Sequence, residues 1–273
     1  MSETRYYQRF TLPQRYLHGA LAGTFLGLAF TGLTLRFSGA SWVQHVAATV
    51  GGFGALLFFH KFCAFVLTVA FLMHVAEMAY RIVVKREYGL LWGPNSMTPC
   101  LKDFQDFFGN VKWFLHLGPR PKFDRFAYWD KVDYWGVFWG MAIIGISGYA
   151  MWFGPFFAKF LPGSWLNVAL LIHGEEAILA VGFIFTIHFF NTHLRPGNFP
   201  MDLTIFTGRQ SEEHFREEHP EEYERLAASG ELEKIAAEPP PLWLKNFGRV
   251  VGAAAVAAGI LMIVCMVVAF VGA

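Results

Sequence analysis

Five histidines lie inside long apolar runs of this sequence: His18, His60, His74, His173 and His188. Ionisable groups at membrane depth are rare and usually mark a site. A single one is readily explained as an interhelical hydrogen bond; five in a repeated spacing are not. His60 and His74 stand 14 residues apart, and His173 and His188 stand 15 apart. On an ideal helix these intervals rotate the second ring by about 40° and about 60° from the first, and separate the rings by about 21 and 22 Å. Each pair therefore shares roughly one helix face, with a ring near either end. Neutral imidazole is a common metal ligand. Two layers of imidazoles about 20 Å apart suit two stacked haems. Bis-imidazole ligation fills both axial positions of the iron, leaves none for oxygen chemistry and makes the group an electron carrier. Gly19, Gly23 and Gly27, with Gly174 and Gly182, leave helix surface open to a flat macrocycle or equally to close helix packing.

The elements that carry these residues are apolar and long. The chain is 55% hydrophobic and 18% aromatic, a composition that places it among polytopic membrane proteins. Five segments reach the roughly 20 residues a crossing needs: about 16–35, 50–80, 134–153, 168–191 and 250–271. Of the 22 Lys and Arg, 19 fall within residues 1–16 and within the links 81–131 and 195–249; the others are Arg36, Lys61 and Lys159. This alternation fits five crossings, with the N-terminus cytoplasmic and the C-terminus outside. The second and fourth segments then both run from outside to inside. His60 and His173 share an outer depth, His74 and His188 an inner one, and His18 reaches the inner level from the first segment.

The links hold little chemistry. Residues 102–115 are expected to form a short amphipathic helix at the interface. Residues 210–238 read as a charged, solvated helical stretch, with His214 and His219 on its surface; His45 in a short outer link reads the same way. "EPPPLW" breaks the chain before the last segment. The first apolar run has no small-residue cleavage site and is not read as a removed signal peptide. Cys63, Cys100 and Cys265 are scattered, and no C-x-x-C-H is present, which excludes covalent haem attachment through that motif. No dinucleotide, phosphate-loop or flavin motif occurs, and nothing suggests a nucleic-acid partner.

Quinone chemistry would need proton carriers at the inner end. "KFDRFAYWDKVDYW" offers Asp124, Tyr128, Asp130, Lys131 and Asp133 among aromatics, though the same residues would serve as an interface belt. His193 in "NTHLRP" is a further candidate, because histidine titrates near neutral pH. Beside His173, Glu175 and Glu176 are candidates for an outer proton path, and Lys61 and Arg36 are the cations available to haem propionates.

"RYLHGALAGTFLGLAFTG", "FFHKF" around His60, "LLIHGEE…FTIHFF" and the tail "FTGRQSEEHFREEHPEEYERL" together resemble the cytochrome b (gamma) subunit of respiratory formate dehydrogenases. That family includes the cytochrome b subunits of nickel-iron hydrogenases. The similarity covers most of residues 5–228. It implies an all-α four-helix bundle holding two non-covalent haem b groups, to which this chain adds a fifth C-terminal helix. The implied organisation is a haem-binding membrane domain over 1–208, a charged cytoplasmic link over 209–247 and a final span over 248–273. The implied setting is a bacterial inner membrane. There the chain would carry electrons between a periplasmic iron-sulfur or multihaem cytochrome c subunit and a membrane quinone, menaquinone or ubiquinone. The outer ligand pair carries over to His60 and His173, the inner pair to His18 and His188.

The sequence departs from that pattern in three ways. The interval on the fourth segment is one residue longer than in formate dehydrogenase subunits, a fifth span follows, and His74 is surplus. A layout like the b subunit of bc complexes would instead pair His74 with His188, so the inner partner stays open between His18 and His74. A third haem using His193 is a further arrangement. A histidine-lined metal or proton transporter is the rival of another class; a flavin-fed reductase or a redox-inert anchor fits the residues less well.

Overall fold

The computed structural model describes residues 4–272 and is 74% helical, as expected of an all-α membrane protein. Its helices are α1 (Leu12–Arg36), α2 (Ser41–Thr49), α3 (Gly52–Val83), α4 (Leu101–Phe114), α5 (Tyr128–Gly140), α6 (Ile146–Trp152), α7 (Gly154–Phe157), α8 (Gly163–Phe183), α9 (Thr204–Thr207), α10 (Glu212–Glu218), α11 (Pro220–Ala228) and α12 (Leu242–Val271). Three short strands, β1 (Tyr6–Gln8), β2 (Arg209–Ser211) and β3 (Ala236–Ala237), complete it. The chain divides into two compact units. One combines residues through Arg15 with Val75–Trp135 and Arg195–Val250; the other combines Tyr16–His74, Gly136–Leu194 and the chain from Val251.

The second unit holds the histidines. Four helices are long and apolar enough to cross a membrane: Leu12–Arg36, Gly52–Val83, Gly163–Leu194 and Leu242–Val271. They match four of the five expected segments, with the last beginning eight residues earlier and the other ends shifted by five at most. Residues 128–152 are also helical without a gap, because α5 passes through a wide π-type turn at Met141–Gly145 into α6. Two more wide turns, Ile184–His188 and Phe190–Leu194, continue α8. Thr24, Thr31 and Thr34 return their hydroxyls to the carbonyls of Ala20, Gly27 and Phe30. An apolar helix can thus carry them without an unmet donor. Ala29 and Leu33 of α1 pack on Val181, Phe185 and Phe189, with Val256, Ile263 and Met266 of α12 against the same cluster. Lipid tails are as apolar as these side chains, so close fit holds the helices together. Gly259 supplies such a fit: a Cβ there would lie 2.7 Å from the Phe189 ring.

The first unit, termed the cap, mixes helix and strand and holds nearly half of the chain. β1 lies between β2 and β3, antiparallel to both, with Tyr7 opposite Gln210 and Ala236. Tyr7, Phe215, Leu226 and Leu232 form its buried cluster. Burying a side chain as large as Phe215 is worth roughly 1.5–3 kcal/mol. Ser211 caps α10 by accepting from the His214 amide, and Pro220 opens α11, where its missing N–H is no loss. Gly208 ends α9 with φ of +75°, and a side chain there would meet the Phe10 carbonyl.

The cap corrects the expectation of a solvated stretch over 210–238. Glu222 is 1% exposed, and its carboxylate takes Arg9 at 2.5 Å and Arg125 at 3.1 Å. Glu218 is buried between Arg120 and Arg195. Arg9 also lies over the Phe215 ring, 4.4 Å from its centroid. Arg225 pairs with Asp124 at 2.7 Å. Partners so far apart in the chain turn a charge-rich stretch into a folded one. His214 and His219, expected at the surface, are half-buried. His219 donates its Nδ1–H to the Asp124 carbonyl at 2.8 Å. Burial pushes its pKa well below the ordinary value, and neighbouring Arg9 pushes the same way. His45 keeps the surface role expected of it.

Candidate functional site

His60 of α3 and His173 of α8 face one another, with ring centroids 6.1 Å apart and planes at 72°. Both rings are half-buried among apolar helices. The His60 Nδ1 lies 2.9 Å from Thr31 Oγ1. The Thr31 hydroxyl already donates to the Gly27 carbonyl at 2.7 Å, so it accepts from His60 Nδ1–H. The His173 Nδ1–H donates to the Ile144 carbonyl at 2.9 Å, with Ser147 Oγ at 3.4 Å. Ile144 sits in the wide turn Met141–Gly145; such turns loosen the helix ladder and recur at functional sites. Among the described residues neither ring makes a hydrogen bond through Nε2, so both have that nitrogen unused.

Two imidazoles so placed can act together as ligands to one metal. A protein hydrogen bond at one ring nitrogen fixes the tautomer and directs the lone pair at the other. Two imidazoles on one metal, at about 2 Å per bond, have centroids roughly 6 Å apart. The surroundings also make room. Gly148 approaches His173 so closely that a Cβ would lie 2.9 Å from its Cε1, and Gly32 abuts His60. Gly19, Gly23 and Gly182 have open space where a side chain would stand, whereas Gly27 is closed by Cys63 and Gly174 by Arg36. Of the two outer cations, Arg36 pairs with Glu175 at 3.0 Å and Lys61 lies over the Trp152 ring at 5.3 Å. Glu176 accepts from the Trp139 indole.

At the other end of the same helices, His18 lies within electrostatic reach of His188 and His193. Both belong to the two wide turns that continue α8. Phe189 stands between them, its ring centroid 6.2 Å from each. His74 lies against Phe138, with centroids 6.4 Å apart.

The quinone candidates before the third segment have structural work in the cap. Lys131 is buried and donates to both Asp103 oxygens at 2.8 and 2.9 Å, which ties α5 to the amphipathic α4. The Tyr128 hydroxyl accepts from Asn110 at 3.2 Å. Asp130 accepts from the Ala127 amide and so caps the start of α5. Asp133 is half-buried one turn further on.

Thr31, Ile144, Ser147 and Gly148 went unremarked in the sequence. A mid-span threonine one turn from a glycine was the visible signal for the first. The Ile144 carbonyl carries no signal in its residue type, because only the wide turn makes it available. Compared with models of known protein families and with curated proteins, the chain matches none.

Proposed function

We propose that this chain is the membrane dihaem cytochrome b subunit of a respiratory oxidoreductase, linking a redox partner at the outer face to the membrane quinone pool. The observation that carries the reading is the opposed His60 and His173 pair, each ring held through Nδ1 and each with Nε2 unused. Haem b held by such a pair supplies one-electron transfer without oxygen chemistry.

In this reading His60 and His173 hold the outer haem. His18 and His188 hold the inner one, as the resemblance to formate dehydrogenase cytochrome b implies; His18 lies near both His188 and His193. Residues 134–153 serve as the further crossing, which gives five in all. The Lys and Arg distribution supports a cytoplasmic N-terminus and an outer C-terminus. Thr31 and the Ile144 carbonyl hold the outer ligands in one tautomer. The resemblance to formate dehydrogenase cytochrome b supports an iron-sulfur or multihaem cytochrome c partner outside, with menaquinone or ubiquinone inside. The extra residue between His173 and His188 has a place in that scheme, since the wide turn Ile184–His188 is where a helix absorbs an insertion. With Lys131 and Asp130 engaged in the cap, His193 becomes the leading proton carrier for quinone, with Tyr128 and Asp133 behind it.

A pyridine haemochrome assay on the purified chain, on His18→Ala and on His74→Ala tests the proposal. Two b haems in the parent, with one lost only in His18→Ala, is the expected result. Loss only in His74→Ala would move the inner haem to a bc-like pair. A well-folded parent without haem would overturn the redox reading and favour a transporter.

A further inference from the structure

The cap contains a cavity of about 280 Å³ that none of the preceding chemistry uses. Its charged lining comes from Arg209 of β2, Lys245 and Arg249 of α12, and Asp202. Three cations against one carboxylate leave an excess of positive charge. Asp202 is engaged elsewhere, accepting from the Thr204 amide and hydroxyl at 2.7 and 2.5 Å. Among the described residues none of the three cations forms an ion pair. Arg209 donates to the carbonyls of Glu238 and Pro239, Lys245 lies 3.5 Å from the Tyr6 hydroxyl, and Arg249 reaches only Asn246. Five other arginines of the cap behave otherwise: Arg9, Arg120, Arg125, Arg195 and Arg225 all meet carboxylates. A cavity lined by uncompensated cations beside the Ser211 hydroxyl is built for an anion.

The position of two of those cations narrows the anion. Lys245 and Arg249 immediately precede the uninterrupted apolar run of α12, which is long enough to cross a membrane. The same turns expose Trp243, Phe247 and Val250 at 68%, 53% and 70%. Aromatic and basic residues at the foot of a span mark the headgroup level, and basic pockets there take lipid phosphates.

We infer that this cavity binds a phosphate group, carried by the headgroup of an acidic phospholipid that seats its acyl chains along the exposed face of α12. The site does not depend on haem.

The test uses the full chain in detergent, measuring thermal stabilisation and lipid retained after washing. The probes are phosphatidylglycerol, phosphatidylcholine and inorganic phosphate. Phosphatidylglycerol should stabilise and remain bound where phosphatidylcholine does not. Each substitution among Arg209→Gln, Lys245→Gln and Arg249→Gln should weaken retention about fivefold. Lys245→Arg should retain the lipid, and helicity and haem content guard against misfolding. If inorganic phosphate protects as well as the lipid and the same substitutions abolish both, the anion site stands and its occupant is the free ion. Equal effects of both lipids, with no effect of phosphate or of the substitutions, would overturn the inference.

Discussion

His60 and Arg9 are both polar side chains drawn out of water, one in each compact unit, and their surroundings differ. Arg9 is surrounded by completed bonds: Glu222 takes its guanidinium, and the Phe215 ring takes its face. His60 is half completed, with Nδ1 held by Thr31 and Nε2 unused. His173 repeats the pattern through Ile144. A buried charge whose partners are all present is part of the scaffold. A half-buried imidazole fixed at one nitrogen and not at the other keeps a lone pair that can bind a metal, which is the basis of the proposed haem site. By the same criterion Lys131, saturated by Asp103, belongs with the scaffold despite its place among the quinone candidates. The uncompensated cations around the cap cavity belong with the sites.

Substitutions that empty one kind of position and spare the other sharpen this contrast. The largest effect is expected from His173→Ala, which should remove the outer haem and bring quinone-linked electron transfer to background while leaving the cap folded. Absorbance and proteolysis of the cap report the two halves of that outcome. Glu222→Ala should do the reverse. It leaves Arg9 buried and Arg125 largely so without their carboxylate, an imbalance worth about 3–5 kcal/mol, and protease cleavage in 209–237 should rise while the outer haem persists.

A milder break comes from acid. Burial keeps folded His219 neutral well below the ordinary histidine range, while the unfolded chain takes up a proton there. The cap should therefore hold full stability above about pH 6.5 and lose about 1.4 kcal/mol per pH unit below it, until the folded ring itself titrates. His219→Gln should flatten that dependence in a pH series of proteolysis rates. The smallest effect is expected from Thr31→Val, which removes one neutral hydrogen bond worth about 1 kcal/mol. Because that bond raises the basicity of its ligand, the outer haem should remain bound and its midpoint potential should rise in a redox titration.

Some of this was legible in the sequence and some was not, for physical reasons. Long apolar runs announce helices whatever surrounds them, so four expected crossings match α1, α3, α8 with its continuation, and α12 to within a few residues at most ends. The sequence placed His60 and His173 at a similar depth, and their ring centroids lie 6.1 Å apart. The wide turns were not legible. They arise from packing around positions such as Ile144 and His188, and the ideal helical angle used to relate His173 to His188 ignores them. The cap was misread because a charge run reads as solvated until its partners are known. The partner of Glu222 lies 213 residues away at Arg9. The cavity at Arg209, Lys245 and Arg249 was missed for the same reason, since its members come from separate segments.

The most direct test of the central claim is electron paramagnetic resonance of the oxidised protein in its membrane, alongside the same spectrum of His60→Ala. The account predicts low-spin signals from two bis-imidazole b haems in the parent, with the outer one lost or converted to high spin in the variant. A parent that carries no haem, or whose spectrum is unchanged by His60→Ala, would contradict it.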